Sequence, residues 1–110
     1  MLATYYPELI RKLPRFSGRF EAYQLDAAGG KVLLAIYPAG TVIEPHHHDT
    51  DNVGVITKGV LLLTIDGTTT RIGPGEWYNV PAHTVHAAEF PEDTAEIEFW
   101  FDANHKPCGS

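Results

Sequence analysis

From residue 19 onward the chain is a series of short runs of aliphatic, aromatic and β-branched residues, each closed by turn chemistry, and this cadence narrows the available folds most. The runs are 19–25, 31–37, 41–48, 53–57, 60–65, 68–72, 77–80, 85–90 and 95–101. Gly29-Gly30, Asp66-Gly67 and Gly73-Pro74-Gly75 supply positive φ or a preset φ between them, and Asp66-Gly67 predicts a type I′ hairpin joining two of the runs. Only Tyr6 to Leu13 departs from the β pattern: Leu9, Ile10 and Leu13 share a helical face before Pro14 stops it, which predicts one or two helical turns. Many short, evenly spaced strands imply an all-β sandwich or small barrel. The expected organisation is an N-terminal arm with a short helix over 1–18, a single β-domain over 19–104 and a tail over 105–110.

A length of 110 residues allows one core of ordinary size. The formal charge of −6, with no basic cluster, argues against nucleic acid or an anionic membrane surface, because phosphate neutralisation needs Lys and Arg in number. A small-molecule ligand or substrate is the expected partner. No apolar run approaches the length of a membrane span and the first residues lack the parts of a signal peptide, so a cytoplasmic protein is expected. The single cysteine, Cys108, is expected to be a free thiol on the tail.

Five of the six histidines fall in two short clusters, Pro45-His46-His47-His48 and Pro81-Ala82-His83-Thr84-Val85-His86. Side chains alternate along an extended strand, so His46 and His48 project to one side and His47 to the other. Two imidazoles then converge, and His86, on a remote strand, is the candidate third nitrogen ligand for a divalent metal. His83 sits in the turn before His86, His105 in the tail, and Asp49 and Asp51 near the expected pocket mouth; a one-residue register shift would make Asp51 an oxygen ligand.

The spacing Gly40-x5-His46-x-His48-x3-Asn52-x6-Gly59, followed by Gly75-x5-Pro81 and His86, resembles the two motifs of the cupin superfamily over roughly residues 31–101. The resemblance implies a double-stranded β-helix, or jelly-roll, barrel with a metal in its mouth on His46, His48 and His86, and frequently a homodimer. Two positions depart from the pattern. Asn52 stands where the family usually has glutamate, and His83 where it has glycine. Alternation with Gly54 and Ile56 turns Asn52 inward, where it offers the metal a neutral amide oxygen or leaves that position open. Such a site resembles the three-histidine iron centres of several cupin dioxygenases. One divalent transition metal per chain is therefore expected, Fe(II) in the favoured reading, with Zn, Ni, Mn or Cu also compatible with imidazole.

Glu44, counted by parity from His46 and His48, is a candidate outer-sphere base as well as a candidate rim carboxylate. Tyr78 is a candidate proton donor or substrate contact, or a core residue, since one of Trp77 and Tyr78 must face inward. In the last run, burial of Ile97, Phe99 and Phe101 is the simplest assignment, with Glu96, Glu98 and Trp100 outward. Four functions fit: a metalloenzyme with dioxygenase-like activity on a small chelating substrate, a metal-dependent isomerase or lyase, a non-catalytic small-molecule or metal-binding module, or a structural dimer with a vestigial pocket.

Overall fold

Each β-run becomes a strand in the computed structural model, which describes residues 2–102. In chain order these are β1 Glu21–Ala27, β2 Gly30–Tyr37, β3 Thr41–His46, β4 Asn52–Lys58, β5 Leu61–Ile65, β6 Thr68–Ile72, β7 Trp77–Val80, β8 His86–Phe90 and β9 Thr94–Phe101. They form two antiparallel sheets, a five-stranded one in the order β1-β2-β9-β4-β7 and a four-stranded one in the order β3-β8-β5-β6. The fold is the all-β jelly roll. Asp66 and Gly67 have φ of 51° and 76°, the pair of left-handed residues that a type I′ turn requires. The helical expectation reduces to one turn, α1 Glu8–Arg11, and a 3-10 turn at Leu2–Thr4 precedes it. The tail, with His105 and Cys108, lies outside the described residues. Among the described residues no helix is long and apolar enough to cross a membrane.

Two clusters hold the layers together. Between the sheets, Leu33, Ala35 and Ile56 meet Leu61, Leu63 and Ile72, and the Tyr37 ring stacks on Phe90 with centroids 4.0 Å apart. On the outer face of the larger sheet, the N-terminal arm packs Tyr6, Leu2, Ile10 and Leu13 over Tyr23, Leu34, Ile36 and Ala95. The Tyr6 hydroxyl donates a shared bond to the carbonyls of Ala35 and Glu96, at 2.9 and 2.8 Å, which are paired across β2 and β9.

The last strand reverses an expectation. Glu96 and Glu98 are buried at 1% and 7% exposure, whereas Ile97 and Phe99 are half-buried and Phe101 is exposed. Register explains the reversal: β9 lies between β2 and β4, with Glu98 opposite Leu33 and Gly54 and Glu96 opposite Ala35 and Ile56, all inward-facing positions. The arm covers part of the outer face, so apolar residues are required on both sides of this sheet and parity alone does not mark the core.

Tyr6→Ala should therefore remove about 3 kcal/mol of stability through lost packing, whereas Tyr6→Phe should lose about 1 kcal/mol with the hydroxyl's bond. Urea unfolding measures both; equal, negligible losses would mean the arm does not stabilise the sheet.

Candidate metal centre

His46, His48 and His86 come together at one end of the inter-sheet space. Their candidate ligand atoms all lie within 4.8 Å of one another, and among the described residues they form the one cluster of three or more such groups suited to a metal ion. The alternation argument holds for this part: His47 is exposed, while His46 and His48 are partly and His86 almost fully buried. His46 and His86 are direct cross-strand neighbours on β3 and β8, and His48 follows just beyond the end of β3.

Local sequence sets these positions. Two residues, Glu44 and Pro45, lie between Ile43 and His46 on β3 where one, Ala87, lies between Ala88 and His86 on β8, so a bulge accommodates the extra residue. Proline has no N–H to give a ladder and suits such a place. The bulge also breaks the parity count through which Glu44 was linked to His46. The Glu44 side chain is exposed at the pocket rim, and its backbone carbonyl accepts a bond from His46 Nδ1 at 2.8 Å. Thr84 O accepts from His86 Nδ1 at 2.9 Å in the same manner. These bonds occupy Nδ1 and leave Nε2 of both rings for an ion, the backbone counterpart of the outer hydrogen bonds that orient histidine ligands.

His83 explains the second departure from the motif. It adopts φ of 67°, the left-handed conformation glycine would enter without cost, and its N–H donates to His48 O at 2.7 Å. Its side chain is exposed and faces Asp49 at 3.8 Å. Asp51 accepts from the Ala82 N–H at 2.8 Å, so its carboxylate fastens the 81–84 turn to the start of β4. Asn52 is buried, lines the pocket and accepts from the Thr50 hydroxyl at 2.9 Å.

The residues fit a metal. His46 Nε2 and His48 Nε2 are 3.1 Å apart, close to the roughly 3.3 Å expected of two nitrogens bound tetrahedrally to one ion at about 2.0–2.1 Å. Burial, helped by repulsion from His46 and His86, pushes the His48 pKa down to about 4, and burial lowers that of His86. Both rings therefore offer lone pairs at neutral pH.

The pocket has a volume of about 380 Å³ and its lining is predominantly apolar. Phe16 and Phe20 pack against Trp100 with centroids 6.0 and 6.5 Å away, and Lys31 lies over both Phe16 and Trp100. The Trp100 ring in turn meets His48 at 4.8 Å. Trp77 is 61% exposed, so Tyr78 takes the interior. Gly54 makes that placement feasible, because a Cβ there would overlap the Tyr78 ring. The Tyr78 hydroxyl donates to Glu96, and the Tyr37 hydroxyl to Glu98 at 2.5 Å. Sequence reasoning passed over Glu96, Glu98, Phe16 and Phe20 as pocket residues. Parity with Trp100 and a small residue at 54 were the available signals for the two carboxyl groups.

The family model of the cupin domain matches residues 33–101. The chain belongs to the cupin family. Its fold is similar to that of a cupin 2 conserved barrel domain protein from Salinispora arenicola, at 20% identity and TM-score 0.73, covering 91% of this chain and 90% of that one. It is also similar to a putative mannose-6-phosphate isomerase from Ralstonia eutropha, at 20% identity and TM-score 0.69 over 89% and 98% of the two chains. KdgF from a Halomonas species matches at 19% identity and TM-score 0.68 over 86% and 91%. In this cupin the three histidines are positioned to bind a metal ion.

The lowered His48 pKa has a consequence for folding. Unfolded, this ring takes up a proton near 6.5; folded, only near 4. Between those values the unfolded state binds more protons, so the metal-free protein loses stability as pH falls through this window. Burial raises the Glu96 and Glu98 pKa values, which slopes stability the other way. Comparing wild type with His48→Gln by urea midpoint isolates the histidine: the variant should show a shallower acid loss, and identical slopes would contradict the assigned shift.

Proposed function

We propose that this cupin is a mononuclear metalloenzyme that takes a small chelating, oxygen-donor substrate onto a divalent metal held by His46, His48 and His86. The observation that carries this reading is the convergence of three imidazoles, each turned toward the same point, at the wall of a largely apolar cavity of about 380 Å³. The bound metal would supply Lewis-acid polarisation of substrate oxygens at its remaining positions. Asn52 adds no charge there, so an anionic or chelating ligand meets a centre not already neutralised by a protein carboxylate.

Two chemistries follow from different parts of the pocket. The neutral three-imidazole set supports the Fe(II) dioxygenase-like reading. The buried Glu96 and Glu98 support a redox-neutral isomerase or lyase, because carboxyl groups walled into an apolar cavity are suited to proton transfer, which holding dioxygen does not require. We favour the second. A similar structure described as a putative mannose-6-phosphate isomerase is in keeping with it.

Metal analysis after reconstitution should give one ion per chain in wild type, none in His48→Ala and one in His47→Ala. Zinc-loaded protein, which is redox-silent, should exchange substrate-derived hydrogen with deuterated solvent across a panel of small 2-oxo and 2-hydroxy acids. Oxygen uptake by the Fe(II) form with diketones, catechols or small thiols, and no exchange by the zinc form, would decide for the dioxygenase.

A further inference from the structure

The part of the pocket that the three histidines leave unused is the Glu96–Glu98 pair. Both side chains line the cavity, neither belongs to the metal-capable cluster, and both are more than nine-tenths buried. Trp100 joins Glu98 to the histidine cluster: its ring meets His48 at 4.8 Å and its Nε1 donates to Glu98 Oε1 at 2.8 Å.

The two carboxyl groups are unequally supported. Glu98 accepts on both oxygens, from Trp100 Nε1 and from the Tyr37 hydroxyl at 2.5 Å, whereas the one donor to Glu96 is Tyr78. Donors to a carboxylate favour its ionised form. Burial opposes ionisation of both, and a charge on Glu98 further opposes one on Glu96. Two residues apart on one face of a strand, at roughly 7 Å, the groups repel if both ionise. The surroundings do not alter this ordering. Tyr37 and Tyr78 remain protonated donors because burial raises their pKa values, and the inward positions of β4 are the uncharged Asn52, Gly54 and Ile56. Arg19, at the mouth, and the three histidines are the other titratable groups lining the pocket besides the rim residue Glu44.

Resting on the metalloenzyme reading, we infer that Glu98 is the proton acceptor of this pocket and Glu96 the residue that holds its exchangeable proton. A ligand at the metal centre gives the proton of an O–H or C–H bond to a Glu98 carboxylate oxygen, and the bonding pair stays on the ligand. Returning the proton to a neighbouring ligand atom completes an isomerisation. In an elimination the leaving group departs with its own pair and takes its proton from Glu96. Neither route needs an oxidant. Tyr37, Tyr78 and Trp100 are positioning residues that fix the two carboxyl groups through their hydrogen bonds.

Two measurements test this, the first without metal. Infrared spectra of metal-free protein at neutral pH should show the band of one protonated carboxyl, lost in Glu96→Gln and kept in Glu98→Gln. No such band in wild type, or its loss in Glu98→Gln alone, overturns the assignment. In the second, acetohydroxamate binds to zinc-loaded protein, followed calorimetrically in buffers of different ionisation enthalpy. Wild type should release no net proton because Glu98 captures it, and Glu98→Gln should release one per site. Equal release by both, with equal zinc content, overturns the role of Glu98. Failure of wild type to bind zinc would strike the metal reading instead, and the infrared result would still decide where the proton rests.

Discussion

The register of β9 is the constraint on which the rest of the structure depends. This strand is bonded on one side to β2 and on the other to β4, so its two faces are assigned at once along its whole length. A shift of one residue would turn Glu96 and Glu98 to the outer face, remove the Trp100 ring from His48 and push Ile97 and Phe99 into the space Tyr37 and Tyr78 now fill. The pairing resists such a shift because each buried carboxyl has a donor reaching it from another strand, β2 for Glu98 and β7 for Glu96. Among the described residues no fully buried side-chain nitrogen or oxygen lacks a partner. The costs of enclosing charge are thus met by specific hydrogen bonds, and the same bonds lock the sheet.

These bonds also give the cavity its chemical asymmetry. One wall presents His48 and His86, whose pKa values burial lowers; the strand across from them presents two carboxyl groups whose pKa values the same burial raises. Low polarity strengthens interactions of both kinds and moves the two sets of pKa values in opposite directions, the histidines down and the carboxyl groups up. Phe16 and Phe20, packed on Trp100, line the pocket from the arm that precedes β1, so a segment outside the barrel strands contributes to the apolar character of the pocket.

Much of this was legible in the sequence, and what was not has identifiable physical causes. Turn chemistry delimited the strands because Asp66-Gly67 and Gly75 are forced by backbone geometry, which is local. His46 and His48 were paired by alternation, a property of one strand. Parity could not place Glu44, because a bulge set by pairing with a strand about forty residues away interrupts the count to His46; its exposed position at the pocket rim accords with the rim-carboxylate reading. The face of β9 was misread because its apolar residues Ile97 and Phe99 lie on the face turned away from the pocket while the inward face carries Glu96 and Glu98, and only the neighbours opposite each residue show this. His83 illustrates the reverse case: its left-handed φ is the backbone requirement that glycine meets in the motif, so the departure altered the side chain without altering the turn.

Family membership alone does not select a reaction, because related barrels share the strands while chemistry depends on the residues that line them. Here the histidines set where a substrate would be held, and they suit oxygen activation and Lewis-acid catalysis equally well. The discriminating residues are those with no part in ligation. Two buried carboxyl groups in the same pocket as the histidines can take up and return a proton, which a redox-neutral reaction uses and oxygen binding does not require. Tyr37, Tyr78 and Trp100 contribute their donors to keeping these groups in place, and Gly54 forgoes a side chain so that Tyr78 can reach. That investment on one wall, set against three imidazoles on the other, is the physical reason for proposing proton transfer rather than oxidation for this cupin.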